Sequence, residues 1–316
     1  MVILPESFLF LGSPKVAADI LERLLLANCP IKGVVTKEPK RRSRGTALSV
    51  TPVEEVANKF GVEIKYSLQD YNLNSFDLGI VVAYGKIIAE SVLSSLPMIN
   101  VHFSLLPNLR GAAPVERALL NGDIETGVTL MKVDRDLDAG LIYDQSKIAI
   151  DPEDDITALY RKLTEIAVKI VIGNLTNNEP EINLMSSHYL LSNLPSGFEQ
   201  DGQVTWAPKI KTGELKITAF DTVKTALNKV KLNGAYFNFL NRKIKVKKAG
   251  SILQILDRDD LVELSLFVNE SRLYIKLSDA AVELSCVVPE SKSQMSGIDF
   301  FNGYVKPNKH FMADNS

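Results

Sequence analysis

Cysteine and histidine are scarce in this 316-residue chain, with two of the first (Cys29, Cys286) and three of the second (His102, His188, His310). Two cysteines exclude a disulfide scaffold and a thiolate-rich zinc site, and three scattered histidines argue against a histidine-built metal cluster. No metal is expected. No apolar run approaches the ~18 residues that span a bilayer. The N-terminal MVILPESFLF has no basic leader ahead of its apolar stretch and reads as a mature start. A soluble, cytoplasmic protein without membrane contact is therefore expected. Charge of one sign is not in excess either: 36 Lys and Arg stand against 38 Asp and Glu, a formal −2. That sum excludes a uniformly basic nucleic-acid coat, but it is silent about local patches. Nucleotide fingerprints are also missing. The first strand-to-helix turn reads GSPKVA, with neither GxGxxG nor a Walker GxxxxGK[ST], and no GxSxG elbow occurs.

What is present is an ordinary globular composition, 46% hydrophobic and 23% charged. The length suits two domains at roughly 150 residues each. The first half alternates short apolar runs with helical patterns, which predicts a mostly parallel, Rossmann-like α/β sheet. FLFLG, IKGVV, LGIVVAY, MINVHF and GVTLMKV are the expected strands. Ser13 is placed to cap a first helix with Pro14 at its first position, and Thr51, Pro52 and Glu54 to start a second. A long amphipathic helix is expected from about 155 to 175. Residues 1–185 form this unit. Ser, Asn, Pro and Gly then dissolve the pattern, giving a linker at 186–202. From 203 to 316 short alternating segments (GELKITAF, AYFNFL, RKIKVKKAG, LVELSLFV, RLYIKLS, AVELSCVV) predict a smaller β-barrel, interrupted by one helix over about 222–231.

Asn100 and His102, two apart on an expected strand, share one face at the end of an α/β sheet, where such folds bind ligands. Taken alone, that pair reads more readily as a strand-end Asn and His satisfied by local hydrogen bonds. The rest of the segment gives it weight: SLLP at 104–107, RGAAP at 110–114, TGVTLM at 126–131 and DLDAG at 136–140. In these motifs, together with FLFLGSP and VVAYGKII, the chain resembles the folate-dependent formyltransferase family over residues 7–175. Within it, the pattern is most similar to the branch that formylates methionyl initiator tRNA.

The resemblance implies a formyltransferase catalytic domain that uses 10-formyltetrahydrofolate as donor, with Asn100, His102 and Asp138 in the catalytic roles. Fixed N–H donors from Asn100 and His102 would stabilise the oxyanion of a tetrahedral centre, and Asp138 would orient His102 and accept the amine proton. The family's folate-binding loops map to Tyr84, Gly85, Ile87 and Ile88, and to Ser104, Leu105, Leu106 and Pro107. Phe103 departs from the small residue usual between the histidine and the serine.

The segment TKEPKRRSRG carries Lys37, Lys40, Arg41, Arg42 and Arg44 against Glu38, a local +4. By itself it reads as a solvated loop. The resemblance implies that Lys40, Arg41, Arg42 and Arg44 meet the acceptor arm of the tRNA. Over residues 201–250 there are 11 basic and 3 acidic residues, a net +8. In RKIKVKK, Arg242, Lys245, Lys247 and Lys248 are placed to offer charge to a phosphate backbone. TWAPKI and QMSGIDFFNG resemble the opening and closing motifs of the family's C-terminal, oligonucleotide-binding-like barrel. The middle departs, with LNGAYF and Thr218-Ala219 where the family carries tryptophan motifs. A monomer binding methionyl initiator tRNA and folate is expected. The triad alone leaves open a formyltransferase for a small amine, such as a nucleotide sugar, and a catalytically silent RNA-binding homologue.

Overall fold

Four short apolar runs build the centre of a parallel sheet because their strands are buried on both faces, as such sheets require, and the short Glu63–Lys65 joins them at the edge. The computed structural model describes residues 7–41, 48–175, 197–254, 262–308 and 310–313. In spatial order the sheet runs Glu63–Lys65, Ile31–Val35, Phe8–Gly12, Leu78–Val82, Met98–His102, Glu125–Lys132, Ile142–Ala149. The first five strands are parallel; Glu125–Lys132 and Ile142–Ala149 add an antiparallel hairpin at one side. Phe8–Gly12 is buried along its whole length. Leu9 and Leu11 pack with Val35, Val81, Leu96 and Met98 on one side of the sheet.

Helix Lys15–Leu26 buries Ala17, Ala18, Ile20, Leu21 and Leu24 at helical spacing. Its start differs from expectation. Pro14 takes the cap position without a side-chain hydrogen bond, because the Ser13 hydroxyl instead accepts from Thr36 Oγ1 and from the Lys37 N–H, both at 3.2 Å. Thr51 does cap Pro52–Phe60, accepting the Glu54 N–H at 3.1 Å. The buried Glu54 carboxylate accepts from the Tyr66 hydroxyl at 3.1 Å. The long helix is Ile156–Leu175.

Two units result. The first comprises Met1–Val115, Glu125–Ala149 and Leu159–Pro208; the second comprises Glu116–Ile124, Ile150–Ala158 and Lys209–Ser316. The chain enters the second unit for the last time at Lys209. Residues 198–207 stay with the first because their backbone bonds go there: Phe198 pairs with Ile142, and Ala207 donates to the Arg110 carbonyl at 2.7 Å. TWAPKI therefore begins on the first unit. Most of the expected linker lies outside the described residues.

The second unit is an antiparallel sheet in the order Tyr236–Phe239, Arg242–Leu253, Ala281–Pro289, Arg272–Lys276, Leu266–Asn269, with Met295–Ser296 on the Ala281–Pro289 strand. Phe237, Ile244, Val246, Ile275, Val282, Leu284 and Phe300 fill its core. Helix Val223–Lys231 starts at Thr222, whose hydroxyl accepts the Thr225 N–H. GELKITAF does not form the expected strand. Thr212–Leu215 is a 3-10 turn, because Glu214 is held by Arg117 at 2.6 and 3.1 Å and by the Lys211 N–H at 2.8 Å. LVELSLFV shortens to Leu266–Asn269, since Leu264 turns left-handed at φ 67°. Among the described residues, no helix is long and apolar enough to cross a membrane.

Candidate active site

Asn100 and His102 lie on Met98–His102 with their side chains on the same face, as their spacing requires. Asp138 comes from the loop of the antiparallel hairpin, in the left-handed region at φ 52°. The three converge. Asn100 Nδ2 donates to Asp138 Oδ1 at 3.5 Å, and His102 Nδ1 is 3.6 Å from Asp138 Oδ2. The Asp138 carboxylate also accepts the Gly111 N–H at 2.8 Å. Side-chain exposure is 6% for His102 and 10% for Asp138. The pair is thus largely withdrawn from water, where its electrostatics are strong.

His102 Nε2 sits 3.0 Å from the Leu109 carbonyl. That carbonyl is aimed by Leu109 itself, which is left-handed at φ 58° and donates its N–H to Thr205 Oγ1 at 2.8 Å. Gly111 has φ 119°, which glycine adopts freely, and a side chain there would press on the Ala207 carbonyl at 3.0 Å.

The expected folate loops leave the ends of neighbouring parallel strands, since Val81 pairs with Asn100 and Val82 with Val101. They lie at the carboxyl edge of the parallel strands, where α/β sheets bind ligands. Ala83 at φ 46° ends the Leu78–Val82 strand, and Gly85 at φ 71° completes the turn. Tyr84 and Ile88 face inward with the core, where burial raises the Tyr84 phenol pKa above its ordinary value. Gly85 and Ile87 face outward, and Ile87 is 90% exposed. Ser104, Leu106 and Pro107 are buried, and Leu105 is half-buried. The Leu106–Pro107 peptide is cis. The turn is held from the hairpin: Thr129 Oγ1 donates to the Ser104 carbonyl at 2.6 Å and accepts the Leu106 N–H at 3.2 Å. Gln145 Nε2 donates to Thr129 Oγ1 at 2.8 Å and to the Leu106 carbonyl at 3.1 Å. Phe103 points its ring at Tyr160 of the long helix, edge-on at 6.0 Å, and is 6% exposed.

Sequence reasoning missed Thr129, Gln145, Gln200 and Thr205. All four act through hydrogen bonds to groups distant in sequence, which leave no periodic signal. Of the basic residues, Arg242, Lys245, Lys247 and Lys248 are exposed, while Ile244 and Val246 turn inward. A register shift between Val246 and Lys248 lets Lys247 and Lys248 both face solvent. Lys40 and Arg41 form a two-residue ladder with Leu48–Ser49. Arg42 and Arg44 lie outside the described residues. Among the described residues, no group of three His, Cys, Asp or Glu is placed to hold a metal.

The formyl transferase family model matches residues 7–175. Methionyl-tRNA formyltransferase of Caldicellulosiruptor saccharolyticus is 31% identical over 315 residues, covering 93% of this chain and 96% of its own. A solved N-formyltransferase from Helicobacter canadensis, in complex with folinic acid and dTDP-3-aminofucose, superposes with a TM-score of 0.61 at 17% identity, over 89% of this chain and 98% of that one. A variant of HypX from Aquifex aeolicus superposes with a TM-score of 0.63 at 15% identity. It covers 96% of this chain, which spans only 48% of HypX. At such identities the likeness to the two structures is one of fold. The family match and the relative's extent together settle the family. The chain belongs to the formyl transferase family.

Proposed function

We propose that this protein transfers the formyl group of 10-formyltetrahydrofolate to the α-amino group of methionyl initiator tRNA. One observation carries the reading: relatives named methionyl-tRNA formyltransferase align over 93% of the chain, so the likeness takes in the basic second unit as well as the first.

The residues at this edge of the sheet fit the donor's chemistry. Ile87 and Leu105 offer apolar surface, and the backbone around Gly85 and the 104–107 turn offers polar groups, which suits a flat pterin. In the reaction, the amine lone pair attacks the formyl carbon, a C–N bond forms, and the carbonyl pair moves onto oxygen. Asn100 Nδ2 is one donor for that oxygen, and His102 Nδ1 is the second in the imidazolium form, in which both ring nitrogens carry protons; such donors contribute about 3–4 kcal/mol each when fixed. Nε2 is already committed to Leu109. The separations of 3.5 and 3.6 Å around Asp138 are long for hydrogen bonds, as expected of a site that tightens around substrate. Asp138 takes the proton from the attacking nitrogen, directly or through a water. Collapse breaks the bond to the folate nitrogen, which leaves with a proton. The scheme uses no metal.

Lys40, Arg41, Arg42, Arg44, Arg242, Lys245, Lys247 and Lys248 neutralise tRNA phosphates, with the second unit serving as an oligonucleotide-binding-like module. The enzyme works as a cytoplasmic monomer. A second reading, formylation of a nucleotide-linked amino sugar, is favoured by the fold likeness to sugar formyltransferases. The deciding experiment offers charged initiator tRNA, charged elongator tRNA and a nucleotide amino sugar side by side with 10-formyltetrahydrofolate. Formylation of the initiator alone supports the first reading. Formylation of the sugar with tRNA ignored replaces it with the second.

A further inference from the structure

The Asp138 loop and the segment that grips the Asp138 carboxylate are joined by one side chain. Gln200 Nε2 donates to the carbonyls of Asp138 at 2.8 Å and Gly140 at 2.9 Å. Its Oε1 accepts from Arg110 Nε at 3.0 Å and Arg110 Nη2 at 2.6 Å. Arg110 adjoins Gly111, whose N–H holds Asp138 Oδ2. Gln200 therefore fixes the Asp138 main chain against the same segment that fixes its carboxylate.

The chemistry requires an amide. Two N–H donors serve two carbonyls while one oxygen serves the guanidinium fork; a carboxylate of the same length has the acceptor and lacks both donors. Asp138 itself is left-handed, a conformation a non-glycine residue keeps only when its surroundings impose it. The Gln200 bonds to the carbonyls on either side of Ala139 are such a constraint.

We propose that Gln200 is a positioning residue for Asp138, setting the carboxylate against His102 and the reacting amine, and acting on turnover without touching either substrate. The inference rests on Asp138 being the proton-accepting carboxylate of the proposed reaction.

The test is steady-state kinetics with 10-formyltetrahydrofolate and charged initiator tRNA on Gln200→Glu, Gln200→Ala, Asp138→Asn and the double variant Gln200→Glu/Asp138→Asn, with Tm recorded for each. The expected result is a fall in kcat of about 10- to 100-fold in both Gln200 variants, since misplacement by about 1 Å costs that much. Both KM values stay within about twofold of wild type, and Gln200→Glu adds less than about twofold on the Asp138→Asn background. A kcat within about threefold of wild type in both Gln200 variants, while Asp138→Asn is slow, overturns this inference alone. So does loss of activity that follows loss of folded protein, or a Gln200→Glu effect that multiplies in full on the Asp138→Asn background. Asp138→Asn turning over at the wild-type rate overturns the reading of the site, and this inference with it.

Discussion

His102 presents Nε2 to the Leu109 carbonyl at 3.0 Å. A carbonyl only accepts, so Nε2 carries a proton and Nδ1 is the nitrogen turned toward Asp138 and the open side of Asn100. Replacing His102 by Ala, or Asp138 by Asn, is expected to lower kcat by about 10²- to 10⁴-fold, the range of a missing acid–base or oxyanion partner. A filter-binding assay should find tRNA affinity nearly unchanged in both. Two fully active variants would remove the proposed mechanism.

Substituting Arg41, Arg42 and Arg44 by Ala should weaken tRNA use and flatten its salt dependence. The logarithmic slope should fall by roughly 0.9 for each phosphate no longer neutralised. Lys245→Ala, Lys247→Ala and Lys248→Ala should act in the same direction. Formylation rates measured across a salt series check this. A salt slope equal to that of wild type in both sets would mean that neither patch meets the phosphate backbone.

Phe103 packs on Tyr160, away from the Asn100–His102 face. Phe103→Ala is therefore expected to cost about 3–5 kcal/mol of stability, the usual penalty for emptying an aromatic site. The KM for folate should stay within about twofold of wild type. A folate KM that rises while Tm holds would place the ring at the pocket instead.

In the second unit, Lys229 Nζ reaches Asp221 at 2.6 and 2.7 Å, with side-chain exposures of 14% and 8%. Burial by itself pushes the Asp221 carboxyl up. Hydrogen bonds from Lys229 and from the Thr218 N–H outweigh it, leaving the pKa below the ordinary value. A lowered carboxylate pKa stabilises the fold above roughly pH 4, and that contribution is lost as the pH falls through the lowered value. Lys229→Met should thus be about 3 kcal/mol less stable at neutral pH, with the gap to wild type narrowing under acid. Denaturant unfolding at pH 7 and pH 3 measures both. A gap that does not narrow would deny the pair its role.

The parallel core could be read from sequence because Phe8–Gly12, Ile31–Val35 and Leu78–Val82 are near-continuous apolar runs bounded by turn residues. The second helix was legible from its cap at Thr51, and the long helix from its amphipathic spacing. Ile142–Ala149 escaped notice because an edge strand half open to solvent carries polar residues along its length. GELKITAF misled by its alternation, which an Arg117–Glu214 ion pair overrode. Of the site, the motif-bearing side chains Asn100, His102 and Asp138 were legible. The groups that aim them were not, because Thr205 and Gln200 work through backbone atoms far along the chain.

Gln200, Thr205 and Ala207 fasten the loops around His102 and Asp138, yet all three lie past residue 175, where the family match ends. In the order of synthesis, the sheet and the candidate groups Asn100, His102 and Asp138 precede the residues that hold the loops around them. A chain cut at the end of the long helix would carry Asn100, His102 and Asp138 without the hydrogen bonds that Gln200, Thr205 and Ala207 supply to the segments around them.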